Sequence, residues 1–178
     1  MRGRFAGRPC HRVPAGHLPA FLEALDRAGM LAAVREPLGD PNGVFAVRKE
    51  FDAALGVWML RMILDRRPRN AEERQLPMDP RTPHGCLLSE VLLGPGEELR
   101  VWASDLPQYY YRVAVSHERA RTNAFGTAVD GEPYRHLAAV QDLLRREGCD
   151  DPARSIGVVF FALNTMAMGD RNATTFAQ

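Results

Sequence analysis

Lysine is almost missing from this chain: of 23 basic residues, all but Lys49 are arginine. So strong a bias can follow from the base composition of a coding sequence, so by itself it assigns no function. Arginine is nonetheless the better fork for gripping phosphate oxygens. An excess of either charge is also missing. The net charge is +1, so the chain as a whole does not announce a nucleic-acid binder, although basic patches can be masked by acidic ones. Cysteine is scarce, with Cys10, Cys86 and Cys149 far apart and odd in number, so no disulfide framework is suggested. The neighbours Cys10–His11 and His84/Cys86 lack a second pair at zinc spacing. Long apolar runs are missing too. The longest, Ile156 to Met168, is interrupted by Asn164 and falls short of the roughly 20 residues that span a bilayer. The first residues, Met1-Arg-Gly-Arg-Phe-Ala-Gly-Arg8, do not form the apolar core of a signal peptide. These absences point away from a membrane and toward a reducing intracellular compartment, cytoplasmic or nuclear.

What is present is enough for a folded domain. The chain has 178 residues, of which 46% are hydrophobic and 25% charged, the balance of a globular rather than a disordered protein. Residues 1–16 carry Arg, Gly, Pro and His without periodicity and read as a flexible leader. Apolar positions from Leu18 to Val34 predict a helix, which Pro37, Gly39, Pro41 and Gly43 interrupt. Val44–Val47 and Val57–Leu64 predict a pair of strands that can form a hairpin. Residues 66–86 read as a proline-rich surface loop and Ser89–Leu93 as a short helix. Leu99–Ser104 and Tyr111–Val115 read as strands, Tyr134–Arg146 as a helix and Ile156–Leu163 as a buried strand. A new helix is expected to begin after Gly169. Strands and helices mixed without regular alternation argue for an α+β fold.

The segment Leu99-Arg-Val-Trp-Ala-Ser-Asp105-Leu-Pro-Gln-Tyr-Tyr-Tyr-Arg-Val-Ala-Val115 carries the most chemistry. An apolar strand delivers one carboxylate to its end, and three tyrosines follow a proline turn. An acidic residue at a strand tip beside aromatic walls can hold a divalent metal over a nucleotide, although aspartate also favours turns for purely local reasons.

Two further segments flank it. The first is Val44-Phe-Ala-Val-Arg-Lys49, followed after a loop by Leu60-Arg61-Met-Ile-Leu-Asp65-Arg-Arg67-Pro-Arg-Asn70. The second is Met166-Ala-Met-Gly169-Asp-Arg-Asn-Ala-Thr-Thr-Phe176-Ala-Gln178. In this order the three resemble the fingers and palm of a reverse transcriptase. The first is similar to the fingers hairpin with its R-x-x-x-D-x-R-x-x-N pattern. The Asp105 stretch is similar to the palm segment D-x-x-x-x-Y-[FY], and stays in step through Thr122-Asn-Ala-Phe125. The last is similar to the L-P-x-G-x-x-x-x-P-x-x-F-Q segment. Ala167, Met168 and Thr174 depart from that pattern, and Asp170 adds a negative charge near where a nucleic-acid backbone would run.

The resemblance implies fingers plus a partial palm of a right-hand polymerase, truncated before the Y-x-D-D hairpin. Residues 17–98 would be fingers-like and 99–178 palm-like. It implies Mg²⁺ or Mn²⁺ in a complete domain, with Asp105 the first carboxylate ligand and the Leu106 carbonyl beside it. Hard oxygen donors suit such ions, and two ions drive nucleotidyl transfer. Lys49 and Arg61 would meet the triphosphate of an incoming dNTP. Tyr110 would lie under its sugar and disfavour a 2′-hydroxyl. Gly169 would let the backbone approach the nascent base pair. Asp65, Arg67 and Asn70 would hold the fingers together or line the template path, and Phe176 and Gln178 would face the template. The implied partners are a template–primer and dNTP.

The resemblance also exposes a gap. This chain contains no Y-x-D-D, and its adjacent aspartates, Asp150-Asp151, precede Gly169. One carboxylate does not complete a two-metal site, so the expectation is a reverse transcriptase fragment that is inactive as this chain. The alternatives are a non-catalytic retroelement-derived relic or nucleic-acid-interaction module, and an unrelated α+β domain.

Overall fold

The apolar stripe Leu18, Phe21, Leu22 and Leu25 forms α1 (Leu18–Arg27) in the computed structural model, which describes residues 7–77, 90–102, 104–149, 151 and 153–173. The helix is shorter than the periodicity predicts. Gly29 takes a positive φ, and the Met30 N–H bonds back to the Leu25 carbonyl at 2.9 Å. That left-handed stop frees Leu31–Val34 to become a strand, β1. The remaining elements are β2 (Gly43–Asp52), β3 (Val57–Asp65), α2 (Arg67–Glu72), α3 (Tyr109–Arg112), α4 (His117–Arg121), β4 (Ala124–Asp130), α5 (Ala138–Arg146) and β5 (Val158–Leu163).

The fold is α+β, with two small antiparallel sheets. One has the order β1-β5-β4, and the other is the β2-β3 hairpin. The central strand β5 is buried at Val159, Phe161 and Leu163, which share a core with Leu22 and Leu25 of α1 and with Val140, Leu143 and Leu144 of α5. α5 begins at Ala138 rather than Tyr134, because Glu132–Tyr134 is a single 3₁₀ turn and Leu137 is extended. Its N-terminus is capped from α1: the Asp26 carboxylate accepts the Ala138 and Ala139 amides at 2.8 and 2.9 Å. A carboxylate at that position satisfies free amides and complements the helix dipole.

The hairpin grows from the edge of β4. The Asn42 amide donates to the Ala124 carbonyl at 2.8 Å, and the buried Asn42 side chain donates to Thr122 and Ala124 carbonyls at 2.9 and 2.7 Å. Within the expected leader, Arg12 donates its amide to the Val44 carbonyl at 2.8 Å. Cys10 donates its amide to the Asp65 carboxylate at 2.6 Å. Residues 10–12 are therefore fastened along the hairpin base. Gly43 is required there, since a Cβ would overlap the Cys10 backbone. Beyond a register shift between Arg48 and Glu50, the hairpin projects into solvent. Its far end is held by its own cross-strand pair, Phe51 edge-on to Trp58 at 5.4 Å, with the Arg48 guanidinium 5.2 Å over the Trp58 ring.

Several expectations are corrected. The strand predicted over Leu99–Ser104 is absent from the described residues there: they are irregular, and Val101 and Trp102 are 66% and 83% exposed. A strand needs ladder partners for its N–H and C=O groups, and no described segment pairs with it. The strand predicted at Tyr111–Val115 starts as helix α3. Its end does pair, with the Val115 amide on the Asn164 carbonyl and the Met166 amide on the Val113 carbonyl, both at 2.8 Å. The loop predicted from residue 66 contains α2. Residues 91–93 are not helical, and Ser89 lies outside the described residues. After a turn at Gly169 and another at Arg171–Asn172, Ala173 is helical, as expected of a helix beginning after Gly169; Phe176 and Gln178 lie outside the described residues. Among the described residues no helix is long and apolar enough to cross a membrane.

Candidate functional site at the hairpin base

The inner end of β3 gathers four of the sequence-predicted residues: Asp65, Arg67, Asn70 and Gly169. β3 presents its outer edge to two other segments. The Leu64 amide donates to the Met168 carbonyl at 3.2 Å, and the Tyr111 hydroxyl donates to the Met62 carbonyl. Asn70, on α2, closes the corner. Its side-chain amide donates to the Gly169 carbonyl at 2.8 Å, and its side-chain oxygen accepts the Arg171 amide at 3.1 Å. Gly169 is itself obligatory: φ is +110°, and a Cβ would overlap the Leu64 carbonyl oxygen. The three motif segments, distant in sequence, thus meet around residues 61–70.

A cleft of about 530 Å³ opens here, lined by Cys10, Arg12, Phe45, Val47, Ile63, Asp65, Arg67, Asn70 and Gly169 among others. Phe45 is opposite Ile63 in the hairpin register, and both line the cleft with Val47; Arg61 is opposite Val47 but is not part of the lining. Arg61 is exposed on that strand and close enough to Tyr111 to act on its phenol. Burial is the larger influence and pushes the Tyr111 pKa up to about 12, so the hydroxyl stays a donor. Lys49 lies at the register shift beyond Val47, exposed, with its ammonium 2.8 Å from Glu50. An exposed pair of this kind contributes little to stability.

Asp65 is nearly buried, and Arg67 and the Cys10 amide occupy its oxygens. Arg67 Nε and Nη2 donate at 2.8 and 2.7 Å. The Arg67 hydrogen bond, then the Cys10 amide, hold the carboxyl below its ordinary pKa against the cost of burial. Asp65 here fastens the hairpin base to residues 10–12. A depressed pKa in the folded state means stability that is present above the unfolded-state value and lost as pH falls through the folded-state value. Acid titration of the wild type should therefore show a loss of stability beginning near pH 4 and continuing below it. Asp65→Asn should be less stable at pH 7 and lack that component in urea melts taken across pH 2–6.

Asp105 is exposed and lies in irregular chain. The Leu106 carbonyl accepts the Tyr109 amide at 3.2 Å. Between them and Tyr110, Gln108 is the one described non-glycine residue with positive φ, at +56°. Such a conformation is uncommon outside glycine, and here it reverses the chain so that α3 starts at Tyr109. Tyr110 is half-buried, edge-on to Tyr109 at 5.7 Å. Among the described residues no three His, Cys, Asp or Glu side chains converge in a way that could hold a metal ion.

A buried ion cluster adjoins the cleft, which Arg66 also lines. Arg66, fully buried, donates to Glu73 at 2.7 Å, to Thr122 at 3.2 Å and to Asp170. Arg119 donates to Glu73 at 2.8 Å and also to Asp170. Searches of protein-family models, curated proteins and solved structures find no match to the chain.

Proposed function

We propose that this chain is the fingers and amino-terminal palm portion of a reverse transcriptase, serving template-directed DNA synthesis in a complete domain. The observation that supports the reading is the convergence at β3. The resemblance alone puts the R-x-x-x-D-x-R-x-x-N segment, the tyrosine segment and the Gly169 segment in one place. In the fold, Asn70 bonds to Gly169, Leu64 to Met168, and Tyr111 to Met62.

In this reading Lys49 and Arg61, exposed on adjacent strands, neutralise the triphosphate of a dNTP. Tyr110 forms the floor under the sugar, and Gly169 offers backbone without a side chain. Asp105 and the Leu106 carbonyl are hard oxygen donors that fit part of a Mg²⁺ shell. The ion, when bound, stabilises charge on the phosphates and on the attacking and leaving oxygens. The carboxylates of a Y-x-D-D hairpin would complete that shell.

Equilibrium binding of Mg·dTTP tests the proposal. Charge-assisted contacts contribute about 1.5–3 kcal/mol each, so Lys49→Ala and Arg61→Ala should each weaken binding by roughly 10- to 100-fold. Binding that is unchanged in the double variant, or absent from the wild type at millimolar nucleotide, would contradict it.

A further inference from the structure

Asp170, the acidic residue that follows the motif glycine, is not among the residues that line the cleft. Its side chain is 2% exposed and accepts from both Arg66 and Arg119. Its other oxygen accepts the Asn172 amide at 2.8 Å. Glu73, 6% exposed, lies on the other side of the same two arginines, at 2.7 and 2.8 Å, and also accepts from Arg69 at 3.1 Å. Thr122 joins the cluster, accepting from Arg66 at 3.2 Å and donating to the Arg119 carbonyl at 2.7 Å. The members come from four places: Arg66 just after β3, Glu73 just after α2, Arg119 from α4 with Thr122 at its C-cap, and Asp170 from the chain after β5.

We infer that the buried Arg66–Asp170–Arg119–Glu73 cluster is a positioning device that sets the Gly169 backbone against the hairpin base, and so shapes the nucleotide site. Asp170 is adjacent to Gly169, and Gly169 has no side chain of its own with which to anchor. The turn is held in front by Asn70 and Leu64 and from behind by the two guanidiniums on Asp170. Glu73 fixes those guanidiniums in turn, and it sits at the end of the helix that carries Asn70. The turn and the helix that carries Asn70 are therefore tied into one charged unit. A pair of forked cations on one carboxylate defines orientation as well as distance. The four residues touch neither the proposed triphosphate groups nor Asp105, so they act through Gly169.

The inference rests on the polymerase reading, and Asp170→Asn tests it, with Asp170→Glu as rescue and Leu22→Ala, in the distant α1 core, as a variant lowered in stability without touching the turn. Two readouts are taken at a temperature where circular dichroism shows each variant folded: Mg·dTTP affinity, and hydrogen exchange at the Leu64 and Arg171 amides. The expected result for Asp170→Asn is affinity weaker by about tenfold or more, since small misplacements at a site are costly, with selective loss of protection at those two amides. Asp170→Glu should recover part of both, and Leu22→Ala should move neither selectively. Unchanged affinity in Asp170→Asn, or a loss of protection no more local than in Leu22→Ala, would overturn the inference. If the wild type binds no nucleotide, the polymerase reading fails instead. The exchange pattern then decides alone: selective loss supports the positioning role, and uniform loss overturns it.

Discussion

Arg66→Met should be among the most destabilising single changes available in this chain, at about 3–5 kcal/mol. The guanidinium is fully buried between Asp170 and Glu73. Burial pushes its pKa down, and the two carboxylates hold it up. Methionine fills much of the same volume, so the loss is chiefly electrostatic. Asp170 would then keep only Arg119, which Glu73 also claims, and two nearly buried carboxylates would each lose a direct partner. For a domain of this size each kcal/mol moves the melting temperature by about 2–4 °C, so a drop on the order of 10 °C is expected in calorimetry. Replacing the cluster as a unit by apolar residues of matched volume should recover much of that stability, because the desolvation cost of all four charges disappears together. A variant melting within a degree or two of wild type would show that Arg66 is not held as described.

Gly169→Ala should act on the site more than on the whole domain. The residue has φ of +110°, and its Cβ would overlap the Leu64 carbonyl. The turn has to move off β3, breaking the Leu64–Met168 and Asn70–Gly169 hydrogen bonds. Backbone strain of about 1–3 kcal/mol, plus two lost hydrogen bonds at about 1 kcal/mol each, sets the expected destabilisation at roughly 3–5 kcal/mol. Mg·dTTP affinity should fall by an order of magnitude or more in chains that remain folded. Gly29→Ala is the matched comparison, because Gly29 also has positive φ but open space around its Cβ position. It should destabilise through strain alone and leave nucleotide affinity unchanged.

How much of this was legible in the sequence differs from element to element. The hairpin was, because Val44–Val47 and Val57–Leu64 are strand-like and separated by a glycine-containing turn. Its base was legible only as a pattern: the roles of Asp65 and Asn70 are set by Cys10 and Gly169, far away along the chain. The Leu99–Ser104 strand was misread because apolar content signals a strand only when a neighbour supplies the ladder. The buried cluster was invisible for the opposite reason. Arg66-Arg67-Pro-Arg69 looks like a solvated run, and nothing local distinguishes buried Arg66 from exposed Arg67. Only the return of Asp170 to the same place makes the difference. The position of Asp170 one residue after the motif glycine was the one available signal. It read as a charge facing nucleic acid, whereas the fold turns it inward.

The central claim of the proposed reading is that Lys49, Arg61, Tyr110 and Gly169 contact one bound nucleotide. Titrating Mg·dTTP into the uniformly ¹⁵N-labelled chain and following amide chemical shifts tests it most directly. The account predicts saturable shifts concentrated at those four residues and at Leu64 and Asn70, abolished by the Lys49→Ala, Arg61→Ala double change. Shifts confined to other parts of the fold, or none up to millimolar nucleotide, would contradict it.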